Sequence, residues 1–94
     1  MKEARKIAKD IVRRRLAACV NITQVFSYFR WKNKIQTERE YLLIIKTRSE
    51  TFVRLKRRIL DLHSYELPEI VIVRIAGGYG PYLEWIDREV RFRR

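Results

Sequence analysis

Histidine and cysteine are almost absent from this sequence, with one of each, and glycine and proline are scarce at three and two residues. A single cysteine excludes an intramolecular disulfide framework and any zinc site built from several cysteines of one chain. Apolar runs end after a handful of residues, far short of the roughly 20 that a membrane-spanning helix needs. No glycine-rich phosphate loop of the P-loop or dinucleotide type is present. Met1-Lys2-Glu3-Ala4-Arg5-Lys6 is basic but runs on into an amphipathic pattern rather than the apolar centre of a signal peptide, so a cytoplasmic protein is expected. With so few groups suited to acid–base or nucleophilic work, an enzyme is not expected.

What the chain does have is a folding composition, 47% hydrophobic and 35% charged, which argues against disorder. Its 94 residues allow one core and hence a single domain over 1–94. Lysine and arginine outnumber aspartate and glutamate 22 to 11, for a net charge of +11. Such a field attracts polyanions but does not by itself make a nucleic-acid binder. The few side-chain amides, Asn21, Asn33, Gln24 and Gln36, among many charges also fit a heat-stable protein.

Spacing sets the order of elements. Ala4, Ile7, Ala8, Ile11, Val12 and Leu16 share one helical face, opposite a basic one. Residues 17–31 are rich in β-branched and aromatic side chains and read as a strand. Its far half carries apolar groups on both faces, so either a bulge turns the strand midway or both faces are covered. Lys32-Asn33-Lys34 is the turn, with Asn33 suited to the left-handed backbone of a short hairpin. The return strand, 35–47, is continuously apolar over 41–45, as in a strand central to its sheet. Ser49 suits a helix N-cap, and Phe52, Leu55, Ile59 and Leu62 follow at helical spacing. Residues 69–76 are near-unbroken aliphatics and read as another strand. Gly77-Gly78-Tyr79-Gly80 is a hinge, and Pro81 opens a last helix. The order α-β-β-α-β-α is α+β, with helices covering one face of a sheet.

The hairpin is too long for its domain. Two strands of about 14 residues each span about 45 Å, whereas a compact domain of this size is near 30 Å across. The outer half, with Phe26, Tyr28, Phe29 and Trp31, needs cover, or the exposed apolar ribbon invites aggregation. Another copy of the same chain is the economical cover, and a homo-oligomer is expected. The competing reading is a sharp bulge that folds the hairpin back onto its own core.

Five strings, in order, carry a resemblance. They are Arg15-Leu16-Ala17-Ala18-Cys19-Val20-Asn21-Ile22, Tyr28-Phe29-Arg30-Trp31-Lys32-Asn33-Lys34-Ile35, Leu42-Leu43-Ile44-Ile45-Lys46-Thr47-Arg48, Leu62-His63-Ser64-Tyr65-Glu66-Leu67-Pro68-Glu69-Ile70 and Tyr82-Leu83-Glu84-Trp85-Ile86. As a set they resemble the CutA divalent-cation tolerance proteins. The resemblance implies a ferredoxin-like sandwich, similar to PII-type signalling proteins, assembled as a tight homotrimer. In that trimer Phe26, Tyr28, Phe29, Trp31 and Tyr41 would lie at the interface. Asn33 stands where the family usually has glycine, and Ser64 where it usually has proline. The family chain also begins with a strand ahead of its first helix, whereas here the helix starts within a few residues of Met1. That strand would be central, so its absence leaves a gap with unpaired backbone on both sides. The two flanking strands could close it, another segment could fill it, or the chain could be shortened.

Candidate ligands are few. Cys19 reads as a small buried hydrophobe or as a soft thiolate ligand for copper. His63 reads as a connector at a helix end or as a metal ligand supported by Tyr65 and Glu66. Cys19, His63 and Glu66 are thus the candidate set for a divalent ion such as Cu(II), with no organic cofactor expected. One cysteine and one histidine cannot close a tight site in a monomer, so a metal site depends on the oligomer. The alternative is a PII-like sensor with an anionic effector between subunits, held by Lys46, Arg48, Tyr65 and Arg74. A third is a basic nucleic-acid binder, which lacks the aromatic signature of RNA-binding modules on this scaffold.

Overall fold

The computed structural model describes residues 1–65 and 67–90. The first helix, α1 (Lys2–Arg13), buries Ala4, Ile7 and Ile11, the stripe set by the spacing. It stops before Leu16. Arg14 is its C-cap and Arg15 is left-handed, at φ 59°. Leu16 N–H donates to the Ile11 carbonyl at 2.9 Å, and Arg15 N–H donates to the Val12 carbonyl at 3.0 Å. With Ile11 and Leu16 in one core cluster, this is a Schellman stop.

Strands β1 (Cys19–Trp31) and β2 (Lys34–Lys46) form an antiparallel hairpin. Pairing runs unbroken from Cys19 opposite Lys46 to Trp31 opposite Lys34. The turn is two residues, Lys32 and Asn33, with φ of 51° and 65°. Positive φ at both positions makes it a type I′ turn, whose twist matches the strands it joins. The continuous register leaves no room for a bulge, so the hairpin does not fold back on its core.

After β2, Ser49–Thr51 make a 3-10 turn that leads into α2 (Phe52–Leu62). Ser49 is not the cap. Arg48 holds that position with an extended backbone, and the Ser49 hydroxyl donates to Glu50 Oε1 at 3.3 Å. Helices α1 and α2 lie side by side. Ile7, Ile11, Leu16, Ala17, Leu55 and Ile59 form the main core, and Val20, Leu43 and Ile45 of the hairpin base pack against it. Asp10 and Arg58 join the two helices through a bidentate pair. The Thr47 hydroxyl donates to the Leu16 carbonyl at 2.7 Å and closes the base. The last helix, α3 (Gly80–Glu89), has Pro81 in its first turn, where a missing N–H costs nothing. Its Ile86, with Val90 and Ala18, forms a second, smaller core.

Two sequence expectations fail, for one reason. Residues 69–76 form no strand, and β2 is not central. Among the described residues the sheet has two strands only. Ile70 still packs on the main core, but Val71 is 70% exposed and Val73 83%. On β2, Leu42 and Ile44 are 44% and 49% exposed. Aliphatic composition suits both segments to a sheet, but a strand exists only where a neighbour takes its hydrogen bonds. Neither closure of the gap nor its filling by another segment occurs among the described residues.

The shape follows. The molecule measures 45 × 27 × 23 Å, with a radius of gyration of 14.7 Å. About 12 Å is expected of a compact domain this size. The long dimension matches a strand of about 43 Å.

Candidate functional site

Cys19 and His63 are placed by different elements. Cys19 opens β1, half-buried and with a free thiol. Its cross-strand partner is Lys46, so a candidate metal ligand and a candidate effector residue face each other on one sheet surface. His63 is the C-cap of α2, and its N–H donates to the Ile59 carbonyl at 2.8 Å. Its ring is held twice by Tyr65. The Tyr65 N–H donates to His63 Nδ1 at 3.0 Å, and the two rings meet edge-on with centroids 4.7 Å apart. An accepting Nδ1 leaves the proton of the neutral imidazole on Nε2. To bind a metal through Nε2, the neutral ring must take the other tautomer, with its proton on Nδ1, and give up the bond from Tyr65 N–H.

Glu66, the third candidate ligand, lies outside the described residues. Among the described residues no group of three or more histidines, cysteines, aspartates or glutamates is arranged to hold a metal ion.

The candidate effector residues are dispersed by charge. Arg48 Nη2 lies 3.4 Å from Glu50 Oε2, and its Nε lies 3.8 Å from Asp87 Oδ1. Glu50 is held below the usual carboxylate range, first by its own backbone N–H and then by Arg48. The Lys46 carbonyl accepts from Ala18 N–H at 2.9 Å. Arg74 is exposed on the unpaired segment. Tyr65 sits beside an acidic group. Partial burial, then Glu40, Glu38 and Glu3, push its phenol above the ordinary range.

None of these residues lines a shallow surface depression of about 410 Å³ bounded by Ala8, Lys9, Val12, Arg13 and Val20. Sequence reasoning missed that place. Its only signal was Val12, a member of the apolar helical stripe that stays exposed. The candidate interface residues are accessible within one chain. Phe26 is 68% exposed and Tyr28 75%, and Trp31 is exposed as well. Phe29 and Tyr41 are half-buried. The Arg39 guanidinium lies 5.9 Å from the Phe26 ring centroid.

Comparison with known proteins places this geometry. Residues 1–89 match the family model described as CutA1 divalent ion tolerance protein. The divalent-cation tolerance protein CutA of Thermus thermophilus is 46% identical over 84 residues, 88% of this chain and 82% of the relative. A solved structure from Archaeoglobus fulgidus, described as a periplasmic divalent cation tolerance protein CutA, is 41% identical with a TM-score of 0.94. It aligns with 97% of this chain, which covers 89% of that one. A Nostoc protein described as PII-like protein CutA, solved in apo form, is 32% identical with a TM-score of 0.92, over 98% of this chain and 90% of its own. Among the described residues no helix is long and apolar enough to cross a membrane. By sequence over most of its length, and by an α+β fold shared with PII-like neighbours, the chain belongs to the CutA divalent-cation tolerance family.

Proposed function

We propose that this protein works as a heat-stable cytoplasmic homotrimer that binds divalent cations, Cu(II) foremost, without catalysing a reaction. The observation that carries the reading is the bare hairpin arm. Phe26 and Tyr28 stand 68% and 75% exposed on a ribbon that its own core does not reach. Side chains of that size on an open ribbon call for cover, and sister copies supply it symmetrically. Assembly also answers the ligand shortage. Three copies bring three Cys19 thiols and three His63 rings, and thiolate with imidazole suits copper better than oxygen ligands do. Self-association is then the principal partnership, and any contact with nucleic acid is non-specific attraction to the +11 charge.

Light scattering at moderate salt should report a particle of three chains, and a single-chain particle at micromolar concentration overturns the assembly. Calorimetry with Cu(II) should show binding that is lost in the Cys19→Ala, His63→Ala double variant. Unchanged binding in that variant removes the proposed ligands. A second reading, an anionic effector held between subunits by Lys46, Arg48, Tyr65 and Arg74, draws on the PII-like description of the Nostoc relative. It is the weaker of the two, because Arg48 already faces Glu50 and Asp87. A thermal-shift screen of nucleotides and anions separates them: a ligand at a hundred times its Kd stabilises by about 2.7 kcal/mol.

A further inference from the structure

Charge is unevenly placed on this chain. Helices α1 and α2 together carry nine lysines and arginines against three acids, Glu3, Asp10 and Asp61. That is over half of the net +11 on two short helices. At about 100° per residue, Lys2, Arg5, Lys6, Lys9 and Arg13 fall in one stripe of α1, opposite the buried Ala4, Ile7 and Ile11. All five are exposed, and none forms an ion pair among the described residues. The acids of α1 do not neutralise the stripe. Asp10 is committed to Arg58 and Arg14, which leaves Glu3 against five cations. On α2 the outer side carries Val53, Arg57 and Leu60 at helical spacing, with Lys56 beside them and Asp61 as its acid. Val53 is 60% exposed and Leu60 48%. Because Ile7, Ile11, Leu55 and Ile59 share one core, both outer sides turn away from that core and from the hairpin base packed on it.

We propose that this outer helical face docks on an anionic lipid bilayer, with its lysines and arginines among the headgroups and Val53 and Leu60 at the acyl boundary. Charge complementarity selects a polyanionic surface, and the make-up of the two helices selects its kind. Neither helix contains asparagine, glutamine, serine or threonine. Phe52, their one aromatic, is half-buried with the Lys56 ammonium 5.7 Å from its ring centroid. Beyond charge, the face therefore offers a polynucleotide no amide or hydroxyl to read a base edge and no free ring to stack on. A bilayer surface asks only for basic side chains and a few exposed aliphatic ones. The hairpin tip, with Arg30, Lys32 and Lys34, is the competing cationic surface, and its rings belong to the arm proposed for assembly. The inference goes beyond cation binding and uses neither the thiol, the imidazole nor the arm.

The test is sedimentation of the full chain with vesicles, either of phosphatidylcholine alone or of an equimolar mixture with phosphatidylserine. At physiological ionic strength the chain should pellet with the mixed vesicles and stay in solution with phosphatidylcholine. Lys6→Gln, Lys9→Gln and Arg13→Gln together should weaken binding about tenfold or more. A variant with Arg30→Gln, Lys32→Asn and Lys34→Gln loses the same three charges from the hairpin tip and should bind within about twofold of the parent. Val53→Gln with Leu60→Gln, which keeps every charge, should weaken binding severalfold. Circular dichroism of each variant checks that the helices are kept. No pelleting with the mixed vesicles, or equal pelleting with both kinds, overturns the proposal whatever the variants do. A tip variant that loses as much as the helix variant overturns it too, and so does unchanged binding after Val53→Gln with Leu60→Gln. Single-stranded polyuridylate bound as tightly per phosphate as the mixed vesicles would make a polynucleotide the occupant and overturn it equally.

Discussion

Arg58 clasps Asp10 across the two helices, with Nε 2.8 Å from Oδ1 and Nη2 2.8 Å from Oδ2. Both charges stay ionised in a parallel, bidentate fork, the strongest form of such a pair. Arg14, one helical turn along α1, adds a contact at 3.1 Å. Hydrogen bonding from Arg58 is the main cause that brings Asp10 down to about 2, from an ordinary 3.8. A carboxylate depressed in the folded state stabilises above its unfolded pKa and loses that contribution as pH falls through the folded one. Asp10→Asn should therefore cost about 2 kcal/mol at neutral pH. The gap from the parent should close between pH 4 and pH 2. Urea melts of both proteins across that range provide the check, and parallel curves at every pH would contradict it.

Arg15 offers a gain rather than a loss. It holds φ at 59°, where a side chain is strained and glycine is not. Its compensation is small: Nη1 reaches Glu89 at 3.4 Å, with both side chains more than two-fifths exposed. Arg15→Gly should raise stability by about 1 kcal/mol, because glycine fits the stop after α1. Thermal melting should show an upward shift. A fall would mean that the Glu89 contact outweighs the backbone strain.

These two positions also show which parts of the fold were legible beforehand. The hairpin was, because a turn pair and alternation specify it locally. Its register was not quite. Counting Lys34 into the turn moves β2 by one residue, and a one-residue slip exchanges the two faces. The observed turn sets Cys19 opposite Lys46, a juxtaposition that spacing alone hides. The stop at Arg15 was illegible because arginine carries none of the signals of a left-handed position, and Leu16 keeps the apolar period beyond the helix end. Residues 69–76 misled for the opposite reason: every local signal says strand, and the missing term is a neighbour elsewhere in the sheet. The candidate ligands were readable by chemical type. Their separation, and the Tyr65 hold on His63, depend on tertiary placement.

Thr51 is fully buried, and its hydroxyl has no hydrogen-bond partner among the described residues. A buried donor left without a partner costs the desolvation of the group and returns nothing. Valine has the same branched shape and lacks that hydroxyl. Thr51→Val should therefore be stabilising by about 1 kcal/mol. Chemical denaturation should show a higher midpoint at an unchanged slope. A lower midpoint would reveal that the hydroxyl is satisfied in solution.

Phe26 and Tyr28 provide the decisive variant for the arm. They sit two residues apart on β1, opposite Arg39 and Thr37, so both project from one face. Neither belongs to the core of its own chain. Replacing both with glutamate should thus leave the fold and the circular dichroism of the single chain intact. If the arm is shielded by sister copies, the same change places six carboxylates in one apolar junction, and burying unpaired charges there is prohibitive. On the proposed assembly, the double variant should run as a particle of 11.5 kDa and the parent at three times that mass. Sedimentation that finds equal masses for both would mean that these rings lie outside the contact. A change in dichroism with no change in mass would mean that the arm supports its own chain instead.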